Sequence, residues 1–300
     1  KKQMDYVIRV CDNPLELPAQ AWDALSAQQD APSPFMQHAY LAALHTSGSA
    51  TPETGWIPRF VTLWQQNILV GACALYVKNH SYGEYVFDWA WADAYQRHGL
   101  RYYPKALVAV PFTPVPGSRL LAVDTAARLA LAQALIEITQ TQARSSLHLL
   151  FASDADLQAC ESAGLMLRHT VQFHWNNSTP GYADFDAFLS HLAQDKRKKI
   201  RQERRKVADA GVQFRWSQGA DIAAADWDFF YRCYERTYLE HGNAPYLSRD
   251  FFARMQSGMA GNWLLFVAER DGQPMASSLI ALSSDKPAAQ GAPQPKVAYG

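Results

Sequence analysis

Between His80 and Arg119 the chain crowds ionisable, aromatic, glycine and proline residues together more densely than a core strand requires. The stretch His80-Ser81-Tyr82-Gly83-Glu84-Tyr85-Val86-Phe87-Asp88-Trp89-Ala90-Trp91 is followed by Tyr102, Tyr103, Lys105, Phe112 and Arg119. An aromatic wall with a few polar groups is the make-up of a ligand site. Tyr82, Asp88, Trp89, Trp91, Tyr102, Tyr103, Lys105, Phe112 and Arg119 are its expected lining. Pro111, Pro114 and Pro116 stiffen the loop around Phe112 and lower its ordering cost. If Tyr82–Asp88 is extended, Tyr82, Glu84, Val86 and Asp88 share one face. Glu84 is then a part-buried carboxylate suited to general-base work, and His80 is the other candidate base. Nothing in the residues ranks the two. The plainer reading is a structural aromatic cluster with satisfied polar groups, in which Asp88 caps a helix.

A second group is cationic. Of the eleven residues from Lys196 to Lys206, eight are Lys or Arg. Asp195 is expected to cap this helix, 196–210, and Gly211 to end it. Helical spacing puts Arg197, Arg201, Arg204 and Arg205 on roughly one side, with Lys196 at the start, and such a side can hold phosphates. The plain alternative is a solvated face paired with acidic neighbours. No aromatics interleave, so stacking of nucleic-acid bases on it is not expected. A third group, Tyr231, Tyr234 and Tyr238, recurs at helical spacing and reads as core, with Thr237, His241 and Tyr246 nearby.

Other chemistry is not signalled. The chain carries no Walker loop, no GxGxxG, no GxSxG elbow and no HExxH. The acyl-CoA pyrophosphate loop is matched only in its first half, at Gln96–Arg101. Cys11, Cys73, Cys160 and Cys233 are dispersed, which argues against a zinc site; buried free thiols at Cys73 and Cys160 suit a reducing compartment. The net charge is zero over 300 residues, so any attraction to phosphate must be local, and DNA is not an expected partner. No apolar run approaches a membrane span, and the start lacks a signal-peptide core. The expected location is the cytoplasm.

The elements that must position these groups alternate between helix and strand. Strands are expected at Tyr6–Val10, Ile57–Trp64, Ile68–Val77, Ala106–Val110, Leu147–Phe151, Met166–Trp175, Val212–Trp216, Trp263–Glu269 and Pro274–Leu282. Helices are expected at Pro18–Ala27, Pro34–Leu44, Trp89–His98, Thr125–Ala143, Asp154–Ala163, Phe185–Leu192, Lys196–Ala210, Ala225–Glu240 and Arg249–Gly258. Asp285–Lys296 reads as a linker, with a last strand starting at Lys296. The run Pro34–Leu44 aligns with Pro245–Met255, and each copy precedes a hairpin opening Phe-Val, at Phe60-Val61 and Phe266-Val267. The second unit is much shorter after its hairpin than the first. The expectation is a natural chain that continues past Gly300.

Several motifs carry a resemblance. Gly55-Trp56-Ile57-Pro58, His80–Asp88, Tyr102-Tyr103-Pro104-Lys105, Pro111-Phe112-Thr113-Pro114, Phe173-His174-Trp175, Lys196-Arg197-Lys198 and Pro245-Tyr246-Leu247 resemble the bacterial FemAB-like proteins of peptidoglycan biosynthesis or recognition, within the GNAT acyltransferase superfamily. The resemblance covers essentially the whole chain. It implies an α/β (α+β) fold of two tandem GNAT-like halves, with mixed, mostly antiparallel sheets flanked by helices: residues 1–180, and an incomplete second half, 181–300, opening with the basic helix. It implies transfer of an acyl or aminoacyl group to an amine, such as one on a peptidoglycan precursor or peptide. The donor would be phosphate-bearing, acyl-CoA or aminoacyl-tRNA. The rival from another class is a non-catalytic protein of the same fold that binds phosphate, RNA or cell-wall fragments.

Overall fold

The computed structural model describes residues 6–283 and 297–300. The linker expected at Asp285–Lys296 therefore lies outside the described residues. The chain begins with β1 (Val7–Cys11), α1 (Ala19–Ala27) and α2 (His38–Thr46). Then come β2 (Ile57–Pro58), β3 (Phe60–Gln65), β4 (Ile68–Cys73) and β5 (Leu75–Lys78). Next are α3 (Trp89–Arg97), β6 (Lys105–Val108), β7 (Leu121–Ala122), α4 (Thr125–Thr141), β8 (Leu147–Leu149) and α5 (Asp154–Ser162). The remainder is α6 (Phe185–Ser190), α7 (Gln194–Asp209), β9 (Gln213–Gln218), α8 (Ala224–Glu240), α9 (Arg249–Gly258), β10 (Trp263–Arg270), β11 (Gln273–Leu282) and β12 (Ala298–Tyr299).

Among the described residues, the strands form three four-stranded sheets, ordered β1-β3-β4-β7, β2-β5-β6-β8 and β12-β11-β10-β9. All pairings are antiparallel except β6 with β8. The first two sheets are made from one hairpin that kinks. Its arms break at Arg59 and Ala74, and the Arg59 N–H still donates to the Leu75 carbonyl at 2.8 Å across the kink. The turn between β3 and β4 is Gln66-Asn67, both at positive φ, 49° and 63°, the twist that suits a two-residue hairpin.

The repeat read in the sequence is present as topology. Strand, helix, helix and hairpin run β1-α1-α2-β3-β4 and again β9-α8-α9-β10-β11. In both copies the opening strand pairs antiparallel with the first hairpin arm, Val10 against Val61 and Arg215 against Val267. Helices α2 and α9, which begin at matched offsets from Pro34 and Pro245, pack on one another, with Tyr40 edge-on to Phe251 at 5.4 Å. One buried apolar cluster runs through both copies, from Trp22, Leu41 and Phe60 to Trp227, Phe251 and Leu265.

One expected strand does not form. Met166–Trp175 joins no sheet, and Phe173 is 99% exposed. Alternating apolar residues express strand propensity only on a paired, half-covered surface. This segment instead runs beside the proline loop, where the Gln172 side-chain amide donates to the Pro114 carbonyl at 2.8 Å. Among the described residues no helix is long and apolar enough to cross a membrane, and no group of His, Cys, Asp and Glu could hold a metal ion. Cys73 and Cys160 are buried free thiols, and burial pushes the Cys160 thiol up to about 11.

Candidate functional site

Lys105 opens β6 inside a fully buried strand, which brings its ammonium under the loop that follows β5. It donates to Ser81 Oγ at 2.8 Å, Glu84 Oε2 at 2.8 Å and Asp88 Oδ2 at 2.6 Å. That uses all three of its N–H groups. Ser81 Oγ also donates to Asp88 Oδ2 at 2.9 Å and shares a hydrogen bond with the Tyr103 hydroxyl at 2.7 Å. The Tyr102 hydroxyl donates to Asp88 Oδ2 at 2.7 Å. The sequence thus brings Glu84, Asp88, Tyr102, Tyr103 and Lys105 together, as expected of a site. The geometry that does so differs from the expected one.

Ser81–Phe87 is not extended. It turns through Gly83 at φ 80° and Tyr85 at φ 57°, so Tyr82 is exposed while Glu84 is buried, and the expected shared face does not exist. A Cβ at Gly83 would lie 2.5 Å from the Phe112 ring, so that turn needs glycine. Asp88 precedes α3 but makes no side-chain cap bond; its carboxylate points inward to Lys105, a stronger, charged partner than a backbone amide. Trp89 and Trp91 sit on α3, which has no buried residue, and face outward. Trp91 carries the Arg168 guanidinium at 5.4 Å rather than lining a pocket. Arg119 is buried elsewhere: it donates to the carbonyls of Leu150 and Val115, and its backbone N–H binds Asp156. It braces the proline loop.

His80 stacks over Gly55, where any Cβ would collide with the ring. Its Nδ1 accepts from the Tyr82 N–H at 3.2 Å. Burial, then the positive charge of Lys78, lowers its pKa against the pull of the Thr54 carbonyl, so the ring is neutral at pH 7. Burial raises Glu84 above the ordinary carboxylate range despite Lys105. Burial would raise Asp88 too, but hydrogen bonds from Lys105 and Tyr102 prevail and hold it low. Glu84 Oε1 and Asp88 Oδ1 are buried without a partner.

Lys78 is the member that the motif reading missed. It ends β5, fully buried, with its Nζ 3.6 Å from the Trp56 ring and 3.3 Å from the Tyr82 carbonyl. Burial pushes its pKa down to about 7, against the opposing charge of Glu84. Its only sequence signal was a lysine placed directly after the apolar run expected as the strand Ile68–Val77. Behind this cluster the two copies meet through aromatics. Phe112 stacks on Tyr246 at 4.8 Å, Trp56 lies edge-on to Phe112 at 5.4 Å, and the Tyr85 and Tyr238 hydroxyls are 3.3 Å apart. The Tyr234–Tyr238 stripe therefore joins the halves as well as filling core.

The basic helix α7 begins at Gln194 after Ala193, so Asp195 lies in its first turn rather than at the cap; Gly211, at φ 75°, follows its end. The side expected to hold phosphate is partly spent. Arg197 donates to the Ser190 and Leu192 carbonyls, Arg201 pairs with Asp186 at 3.0 Å, and Arg204 lies over Phe185 at 4.3 Å. These contacts dock α7 on α6. Lys196 and Arg205 are exposed. A separate cleft of about 1310 Å³ opens between α1, the proline loop, the 172–176 segment and the end of the chain, and no residue discussed so far as catalytic or phosphate-binding lines it.

A duplicated, mixed α/β architecture with a buried charge cluster and a separate cleft is the class that these features define. The profile of the FemAB-like family, described as peptidoglycan biosynthesis/recognition, matches residues 14–286, and the chain belongs to that family. A crystal structure of FemX is similar over 89% of this chain and 58% of its own, at 13% identity and a TM-score of 0.44. The chain thus spans little more than half the length of that structure. No curated protein matches.

Proposed function

We propose that the chain transfers an acyl or aminoacyl group to an amine in peptidoglycan-precursor chemistry. Membership of the FemAB-like family, over nearly the whole chain, is the observation that carries this reading. In such a transfer the neutral amine attacks the carbonyl carbon of an ester or thioester. An N–C bond forms, the bond from carbon to the leaving oxygen or sulfur breaks, and the amine proton passes through a base to the leaving group. Glu84 suits the base better than His80, because Glu84 Oε1 has no partner while the His80 Nδ1 lone pair is taken by Tyr82. Lys105 orients that carboxylate through its tripod of hydrogen bonds. The Ser81–Asp88 loop covers Glu84, so this role requires the loop to lift, turning at Gly83 and Tyr85. The exposed Lys196 and Arg205 are then available to a phosphate-bearing donor, acyl-CoA or aminoacyl-tRNA.

The completeness of the Lys105 tripod favours a second reading, in which the cluster is structural and the chain binds phosphate, RNA or wall fragments without catalysis. Turnover separates the two. With an aminoacyl-tRNA or acyl-CoA donor and a peptide amine acceptor, Glu84→Gln should lower turnover by about a hundredfold or more, and His80→Ala by less. Retained turnover in both variants rules out this assignment of the base. No transfer, with RNA binding that collapses as salt rises, favours the binding reading.

A further inference from the structure

Helix α3 and the loop that enters it carry apolar surface that the fold does not use. Phe87 is 84% exposed and Trp89 54%, and Trp91 and Leu100 are exposed as well. None of the nine residues of α3 is buried. Trp89 and Trp91 lie about 200° apart around the helix, so the aromatics flank it on both sides instead of filling one groove. Apolar side chains gathered on a surface in this way mark a docking site. The Arg168 guanidinium lies over Trp91 at 5.4 Å, which brings the segment containing the exposed Met166 beside the helix. The charge here is mostly of one sign. Within residues 87–101 and 166–169 the exposed charged side chains are Arg97, Arg101 and Arg168 against Asp93, which pairs with Arg97. Asp88, the other acid, is buried and bound by Lys105. That buried ion pair ties the start of α3 to the core, so the patch is held in place by groups that take no part in it. The chain as a whole has zero formal net charge, and this excess of cations is therefore local.

We propose that α3 and the residues flanking it dock on a bilayer surface that contains anionic phospholipid. Tryptophan favours the headgroup layer, where the ring body meets apolar tails and its N–H meets water. Arginines beside it are drawn to lipid phosphate. A shaped protein partner needs a matching wall, whereas an element with side chains on both flanks suits a fluid layer that closes around it. The claim concerns binding alone and stands whether or not the chain catalyses acyl transfer.

Co-sedimentation of the full chain with vesicles tests it, using phosphatidylcholine alone and an equal mixture of phosphatidylcholine and phosphatidylglycerol. The chain should bind the mixed vesicles about tenfold more tightly than the neutral ones, and added salt should weaken that binding. Tryptophan emission should shift to the blue as the rings leave water. Phe87→Ser combined with Trp89→Ser should remove most of the binding and reduce the emission shift. Arg101→Gln combined with Arg168→Gln should lower affinity for the mixed vesicles to about the neutral level. All four side chains are exposed, so both variants should keep the melting temperature of the parent. Equal binding to the two vesicle types, no binding to the mixed ones, or full binding by the aromatic variant would each overturn the proposal. So would a vesicle-free dimer that Phe87→Ser with Trp89→Ser makes monomeric, because the patch would then serve a second copy. None of these results bears on transfer, which turnover measures separately.

Discussion

Lys78 and Lys105 sit in one buried cluster but are held differently. Lys105 spends all three protons on oxygens, whereas Lys78 has a ring face and one carbonyl. A lysine whose folded pKa is depressed to about 7 binds fewer protons when folded than when unfolded. Its penalty is full below pH 7 and is relieved as pH rises toward its unfolded value. Denaturant unfolding at several pH values should therefore show a stability component that increases from pH 7 to pH 10. In Lys78→Met that component should vanish, leaving a flatter profile; an unchanged profile would show that Lys78 stays charged when folded. Sequence reading placed Glu84, Asp88, Tyr102, Tyr103 and Lys105 in one site because polar residues crowded there. It missed Lys78 because a lone strand-end lysine looks like a surface residue until the strand is known to be covered. It also misassigned Arg119, which folds back on the Val115 carbonyl four residues before it and reaches the distant Leu150 carbonyl, a partner that no local pattern reveals.

At the scale of elements, spacing was informative wherever a helix supplied it. Helix α9 begins at the expected Arg249, where Ser248 caps it, and α2 begins at the matched offset four residues after its proline, with no side-chain cap. Met166–Trp175 shows the converse: a strand is defined by its partner, and propensity alone cannot supply one. The α2–α9 contact rests partly on Ser248, whose Oγ accepts from the Phe251 N–H and donates to the Ser47 carbonyl, while its N–H reaches Ser49 Oγ. Ser248→Ala removes the cap and one link between the copies. It should cost about 1 kcal/mol in chemical denaturation, whereas Ser257→Ala, on exposed α9 surface, should cost much less. Equal effects would mean that the cap is not holding the helix.

For the whole molecule, the question is whether the two copies of the repeat unfold separately. Tandem units with small polar interfaces commonly do. Here the interface is apolar and continuous: Tyr40, Phe251, Phe252 and Met255 belong to the same buried cluster as Trp22 and Phe60 on one side and Trp227 and Leu265 on the other. The Phe112–Tyr246 stack and the Tyr85–Tyr238 contact extend the seam to the charge cluster. Exposing one copy would strip water-free partners from the other, so partial unfolding carries most of the cost of complete unfolding. Calorimetry should therefore show one transition, with calorimetric and van't Hoff enthalpies in agreement. Phe251 is buried at the centre of the seam, and Phe251→Ala should cost about 3–5 kcal/mol and lower that single transition by roughly 5–8 °C. If Phe251→Ala instead splits the trace into two transitions, the copies are separable and the seam merely docks them. If the unmodified chain already shows two, the shared core does not couple the halves.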